Sequence, residues 1–401
     1  MVKWLSKDRR AMKAIKILLL VVTRLMMADF ALAQTWTQTS APNTNWVSVA
    51  SSADGKILIA SGLRIVGPVF VSTNAGTSWM NSGLPANSWS SVSASADGSK
   101  MAAVQYGGVI YTSTDAGAAW TSNNAPYQYW SSIAASADGN KLVAVAGGGT
   151  VSGPIYFSTN AGAIWTQATN APIAIWHAVA SSSDGSKLVA VQWGNIFTST
   201  NSGGLWQQAS NAPSLFWVSV ASSADGNKLV AAANNANSGS GPIYTSTNSG
   251  MNWMLSSAPN KIWYSVASSA DGNKLAAVAR TGQIYTSADA GANWVSNSAP
   301  AFAWYSVASS ADGNKLLAAV NNGGIWTLQT TTSPRLNLSR MNSNLALSWV
   351  LPSTNVVLQQ STDLLSWADV TNPPILNLIN LQNQVTLSPT NSSGFYRLKT
   401  P

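Results

Sequence analysis

One pattern returns seven times in this chain. A segment of the type W-x-S-V-A-S-S-A-D-G-N-K-L opens at Trp46, Trp89, Trp130, Trp176, Trp217, Trp263 and Trp304, with spacings of 43, 41, 46, 41, 46 and 41 residues. Self-similarity at such a period means that each unit is one supersecondary element, unable to bury its apolar face except against its neighbours. Within a unit, the residues after the Trp alternate as a strand does, as at Val218, Val220 and Ser222. Asp-Gly follows in all seven units, from Asp54-Gly55 to Asp312-Gly313. Between two apolar runs this dipeptide signals a hairpin in which both positions tolerate positive φ. A second strand such as Lys228-Leu229-Val230-Ala231, a variable loop and a third strand such as Ile243-Tyr244-Thr245 come next, and a fourth begins at the following Trp.

The link between third and fourth strands carries its own motif, S-x-D/N-x-G-x-x-W, at 72–79, 113–120, 158–165, 199–206, 246–253 and 287–294. The Asp or Asn accepts backbone N–H groups inside the turn, Gly takes the left-handed position, and Trp fills the space beneath. These six copies resemble the Asp-box, or BNR, repeat over roughly residues 34 to 330. The resemblance is to the β-propeller superfamily that includes sialidases and photosystem II assembly factors, and it implies a turn-stabilising role for the box. The expected fold is therefore all-β: a seven-bladed β-propeller over 34–331. The seventh unit lacks a box, since Gly324-Ile325-Trp326-Thr327 runs into Gln329-Thr330-Thr331-Thr332-Ser333-Pro334. Thr35-Trp36-Thr37-Gln38 matches the fourth strands, so the N-terminal strand is expected to complete the last blade and leave no free sheet edge.

Beyond Arg335 the repeat is gone. Alternation at 345–349 and strand candidates at 356–360, 385–387 and 395–398 predict a small C-terminal β-sandwich-like module over 335–400. Its strings L-A-L-S-W, L-Q-Q-S-T-D-L-L-S-W and F-Y-R-L resemble a fibronectin-like module at the C-termini of exported bacterial proteins.

Charge sits mainly at the other end. Lys3, Lys7, Arg9, Arg10, Lys13, Lys16 and Arg24 precede or interrupt a short apolar run before Ala31-Leu32-Ala33, a pattern read as a signal peptide over 1–33 and hence as export. Its removal takes away seven positive and two negative charges from the total of +8 and leaves +3, which argues against nucleic acid as a partner. The apolar run from Ile17 to Thr23 is far short of the roughly 20 residues a membrane span needs, so none is expected in the mature chain. Cys is absent, which excludes disulfides and thiolate metal sites. Only 8% of residues are charged, against about 25% in an average globular protein, so solubility rests on Ser, Asn and Gly.

Catalysis finds few residues to work with. In sialidases, the resemblance implies three arginines on the substrate carboxylate, a Tyr–Glu nucleophile and an Asp acid/base. This chain has no Glu, and its 13 acids are all Asp: seven in the hairpins, Asp115 and Asp289 in boxes, two in the leader, and Asp363 and Asp369 in the tail. None is left for a paired-carboxylate mechanism. The repeat region holds only Arg64 and Arg280, and its lone His177 lacks partners with metal-ligand spacing. No enzyme activity, metal or cofactor is expected. Function is expected instead on the face carrying the variable loops, where repeats differ. The candidate ligand-binding residues there are Tyr106, Tyr127, Tyr129, Trp193, Phe216, Arg280 and Phe302, suited to a protein or glycan. The opposite face carries Lys56, Lys100, Lys141, Lys187, Lys228, Lys274 and Lys315, read as equivalent lysines balanced by the turn aspartates.

Overall fold

The structure, a computed structural model, describes residues 35–62, 67–234, 239–329, 336–341, 344–350, 356–361, 365–377, 382–387 and 395–399. The leader, Arg64 and Asp363 lie outside them. The described residues contain strands, turns and no helix. Each repeat contributes antiparallel strands paired in chain order, four to a sheet, and those of the second and third repeats are joined into one eight-stranded sheet. In the first, Trp46–Ser51 pairs with Leu58–Gly62, then Val69–Ser72, then Met80–Asn81. The sheets opening at Trp89, Trp130, Trp176, Trp217, Trp263 and Trp304 are numbered second to seventh below. In the seventh, Trp304–Ser309, Lys315–Val320 and Ile325–Gln329 are followed by Thr35–Gln38, with Trp36 opposite Leu328 and Gln38 opposite Trp326.

Burial explains the strand patterns. The second strand of each sheet is covered on both faces, Leu58–Gly62 being buried throughout, which is why it reads as an unbroken apolar run. The seven opening Trp residues are all wholly buried. Each fills a seam between sheets: Trp217 meets Val189, Val191 and Ile196 of the fourth sheet as well as Val220 and Leu229 of its own. The core is thus distributed over the seams. Alanines such as Ala60, Ala103, Ala144 and Ala190, on the second strands, are wholly buried as well.

Two hydrogen-bond series run from sheet to sheet. At the end of the first strands, the N–H of Ala53 donates to Ala96, Ala96 to Ala137, Ala137 to Ser183, Ser183 to Ala224, Ala224 to Ala270, Ala270 to Ala311, and Ala311 back to Ala53, each at 2.7–2.8 Å. The series is closed. Ser and Ala residues from all seven sheets surround a cavity of about 160 Å³ at this level. In the second series, a serine two places after the opening Trp accepts a backbone N–H from the next sheet: Ser48 from Val92, Ser91 from Ile133, Ser132 from Val179, Ser219 from Val266, Ser265 from Val307, and Ser306 from Val49. The fourth sheet has Ala178 at this place, so Val220 receives no such bond.

The Asp-Gly turns differ from the two-residue hairpin expected. Pairing stops at Ser51 opposite Leu58, and only Gly55 has positive φ, at 68°. Asp54 instead accepts from the Ser52 hydroxyl at 2.6 Å and the Lys56 N–H at 2.9 Å, an arrangement that recurs in all seven sheets. In the boxes, two successive residues are left-handed, for example Ala75 at 57° and Gly76 at 85°. The boxes therefore hold an Ala or Ser where Asn, Asp or Gly is usual, at some conformational cost. Ser72 and Asn74 accept the N–H groups of Gly76 and Ser78 at 2.9 Å, which fixes the turn.

In the C-terminal region, Asn337–Met341, Asn344–Val350, Gln382–Leu387 and Ile375–Asn377 form one sheet, and Ala368–Asp369, Val357–Ser361 and Phe395–Lys399 another. Leu347, Trp349, Leu358 and Val385 form their common core.

Candidate functional site

The first strand of every sheet carries a β-bulge at the residue after its opening Trp: Val47, Ser90, Ser131, His177, Val218, Tyr264 and Tyr305. A bulge adds a residue to one strand and re-aims its side chain. The backbone device repeats seven times while the side chain it presents changes, so chemistry is varied on a constant frame. This was legible in the sequence as one variable position inside a constant repeat.

Around these bulges the candidate aromatics fall into separate groups. Trp193, on the loop after Leu188–Gln192 of the fourth sheet, and Phe216, at the start of the strand Phe216–Ser222 of the fifth, are joined by a β-bridge and by the Gly194 N–H donating to Leu215 at 2.8 Å. Their rings are 4.0 Å apart between centroids. The His177 ring stacks on Trp193 at 5.7 Å with 24° between planes and also touches Phe216 at 5.8 Å. Trp193 keeps 41% of its surface exposed, which makes it the open face of this group. His177 lies on the strand Trp176–Ser181 and is the third ring of the cluster.

The second group is tyrosine-rich. The strand Gln128–Ala135 begins early and pairs through Gln128 and Tyr129 with Gly108 and Tyr106, which ties the second sheet to the third. Tyr106 and Tyr129 meet edge to face at 5.2 Å, and the Tyr106 hydroxyl donates to the Gly148 carbonyl at 3.3 Å. Tyr127 stands beside them, 67% exposed. Its hydroxyl and the Tyr129 ring both approach Gly107, at φ 73°, each 3.3 Å from the place of a Cβ, so that a side chain there would have to push them aside.

Phe302 belongs elsewhere. Its ring, 38% exposed, packs on Trp304 at 5.7 Å and Trp326 at 5.6 Å, both of the seventh sheet. Arg280 is exposed, and its N–H donates to Ile262 at 2.8 Å. Among the described residues no ring contact links one group to another. Tyr264 and Tyr305, absent from the sequence-based candidates, pair at 4.7 Å from neighbouring bulges.

On the opposite side, the lysines prove unequal. Lys56 comes one residue early and Ile57 takes its place, so six lysines are equivalent, not seven. Each of the six lies beneath the hairpin glycine of the next sheet; Lys100 Cβ is 2.7 Å from where a Gly139 Cβ would stand. Their ammonium groups donate to the neighbouring turn: Lys100 to Asp138 O and Asn140 Oδ1 at 3.0 and 2.6 Å, Lys228 to Asp271 O and Asn273 Oδ1 at 3.0 and 2.6 Å, and Lys274 to Asn314. Five of them are structural clasps to carbonyl and amide oxygens of the next hairpin, and Lys141 donates to the Ser202 hydroxyl at 3.2 Å. The ion pair found among the described residues is Lys56–Asp54, at 4.0 Å.

The turn carboxylates are held as anions. At Asp97, Asp138, Asp184, Asp225 and Asp271, burial raises the carboxyl pKa, but hydrogen bonds from the preceding serine and from the residue two places on outweigh it, and the net shift is downward. At Asp115 the Ala119 N–H and Ser113 hydroxyl lower it, and at Asp289 the Asn293 side chain and N–H do. A general acid needs the reverse shift. No cluster of three His or Asp residues able to hold a metal occurs among the described residues. No described helix is long and apolar enough to cross a membrane.

No family model matches the chain, and no curated protein does. Solved structures do. A structure described as YCF48 bound to D1 peptide aligns with 76% of this chain and 98% of its own, at 16% identity and a TM-score of 0.57. YCF48 from Cyanidioschyzon merolae aligns with 73% of this chain and 98% of its own, at 16% identity and 0.56. An ancestral GH74 enzyme aligns with 79% of this chain but 54% of its own, at 16% identity and 0.59. At this identity the likeness concerns architecture, and what it establishes is that the chain has a β-propeller fold.

Proposed function

We propose that this chain is a seven-bladed β-propeller closed by its N-terminal strand, exported, and that it acts as a non-catalytic scaffold binding a protein or glycan on its variable-loop face. The closed Ala/Ser hydrogen-bond series and the pairing of Thr35–Gln38 with Ile325–Gln329 support the ring. The observation that carries the functional reading is the Trp193–Phe216–His177 stack. It is an aromatic group opened to solvent by Trp193 and built from non-equivalent positions of two sheets, whereas every carboxylate in the described repeats is committed to a turn. Of the two ligand classes, the D1 peptide bound to one propeller neighbour favours a protein segment, in the manner of an assembly factor. The GH74 neighbour raises a hydrolase reading, which the absence of Glu and the lowered turn carboxylates oppose.

Screening the mature protein against peptide and glycan arrays, then repeating the best hit with Trp193→Ala and Phe216→Ala together, tests this. Loss of an aromatic hot spot typically costs about 2 kcal/mol or more, roughly thirtyfold in affinity. Loss of binding on Lys141→Ala and Lys228→Ala instead would move the site to the other face. Sugar release from sialosides or common glycans between pH of about 4 and 8, abolished by replacing one Asp, would overturn the non-catalytic reading.

A further inference from the structure

Six of the seven sheets carry an Asp-box, and each box closes the seam with the sheet before it. Its glycine sits on two side chains: Gly250 on Thr198 and Leu229, Gly291 on Thr245 and Leu275. A Cβ on either glycine would come within 2.8 or 2.7 Å of the threonine methyl. The residue before the glycine donates its N–H to the hairpin of its own sheet, as Ser249 does to Asn227 at 2.9 Å and Ala290 to Asn273 at 2.8 Å. Little space remains. The seams holding Ala75, Ser249 and Ala290 contain voids of about 10 Å³ each.

The seventh sheet has no box. At the same level of the seam between the sixth and seventh sheets, the counterparts of those residues are present: Lys274, Leu275 and Thr286 on one side, Ser309, Gly313 and Leu316 on the other. The void they surround is about 430 Å³, within the ~300–1,000 Å³ range of ligand sites.

We propose that this seam, whose sheet carries no box, is a binding site for a peptide turn supplied in trans, of the form Ser-x-Asp/Asn-small-Gly with the last two residues left-handed. Thr286 and Leu316 stand where Thr245 and Leu275 seat Gly291, so the site selects glycine for the same steric reason. The six filled seams are the template for the occupant. This site is independent of the aromatic face and of the function proposed for it.

The probe is a backbone-cyclised peptide carrying the sequence of residues 246–253, Ser-Thr-Asn-Ser-Gly-Met-Asn-Trp, titrated into the full mature chain by calorimetry or NMR. Saturable binding is expected, weakened about tenfold or more by Gly→Ala in the peptide and by Thr286→Trp in the protein. Ser296→Trp, on the exposed fourth strand at the rim, gives a second obstruction should Thr286→Trp disturb folding. No saturable binding, equal binding of the Ala peptide, or binding indifferent to a folded obstructing variant would overturn the proposal. A photo-crosslinker at position 286 that captures the chain's own residues after Gln329 would overturn it too, since the occupant would then be internal.

Discussion

Trp36→Ala is the sharpest test of ring closure. Trp36 is 7% exposed, lies opposite Leu328 and packs on Trp304 at 5.9 Å, within a core that includes Val278 and Ile284 of the sixth sheet. Truncating a buried Trp costs about 3–5 kcal/mol. The Trp36 indole N–H is buried without a partner, a penalty of roughly 1–3 kcal/mol that the truncation relieves. The expected loss is therefore near the low end, about 3 kcal/mol, seen as a lowered urea midpoint with unchanged slope. Deleting residues 35–38 should cost more, because Ile325–Gln329 then becomes an open edge prone to association. A synthetic peptide of residues 34–40 added to the deletion variant should restore part of the lost stability. A cost below about 1 kcal/mol for both variants would show that the N-terminal strand does not hold the last sheet, whatever its pairing.

Gly226→Ala, at φ 68° with Lys187 Cβ 2.8 Å from the new methyl, should destabilise by more than about 1 kcal/mol in urea titrations, whereas Gly282→Ala, with open space around it, should cost less. Ala178→Ser supplies the hydroxyl missing from the inter-sheet series and should raise stability by about 1 kcal/mol; a loss would mean that the seam between the fourth and fifth sheets is spaced differently. Asp97, Asp138, Asp184, Asp225 and Asp271 titrate below the ordinary value of 3.8 in the fold, so unfolded chains bind more protons on acidification. Their contribution is complete above that value and lost as pH falls through the lower folded values; urea midpoints should hold from neutral pH to about 5 and drop below about 4, and a decline already at pH 6 would contradict this assignment.

The sequence displayed what recurs and hid what crosses between repeats. Strand order within each sheet followed from the Trp, Asp-Gly and box spacings because those signals are local. The Ala53-to-Ala311 hydrogen bonds join residues 41 to 258 positions apart and involve plain backbone groups, so no side chain announces them. Lys56 illustrates a subtler failure: a single-residue slip looks negligible in an alignment by eye, yet it replaces a clasp to the next hairpin with the methyls of Ile57 against Gly98. At the aromatic face, residue type was legible and grouping was not. Phe302 and Trp193 both follow from loop composition and stay comparably exposed, but only tertiary packing sets the first against Trp304 and Trp326 and the second against His177 and Phe216.

The closed Ala/Ser series also counts. Each donor is also an acceptor for the previous member, all seven links are alike in length, and none is first or last. A gene that duplicated or lost one 41–46-residue unit would have to change the angle at every link at once. Each link ties a repeat to both neighbours, so loops and bulges can change one at a time, whereas adding or removing a unit moves every link of the series.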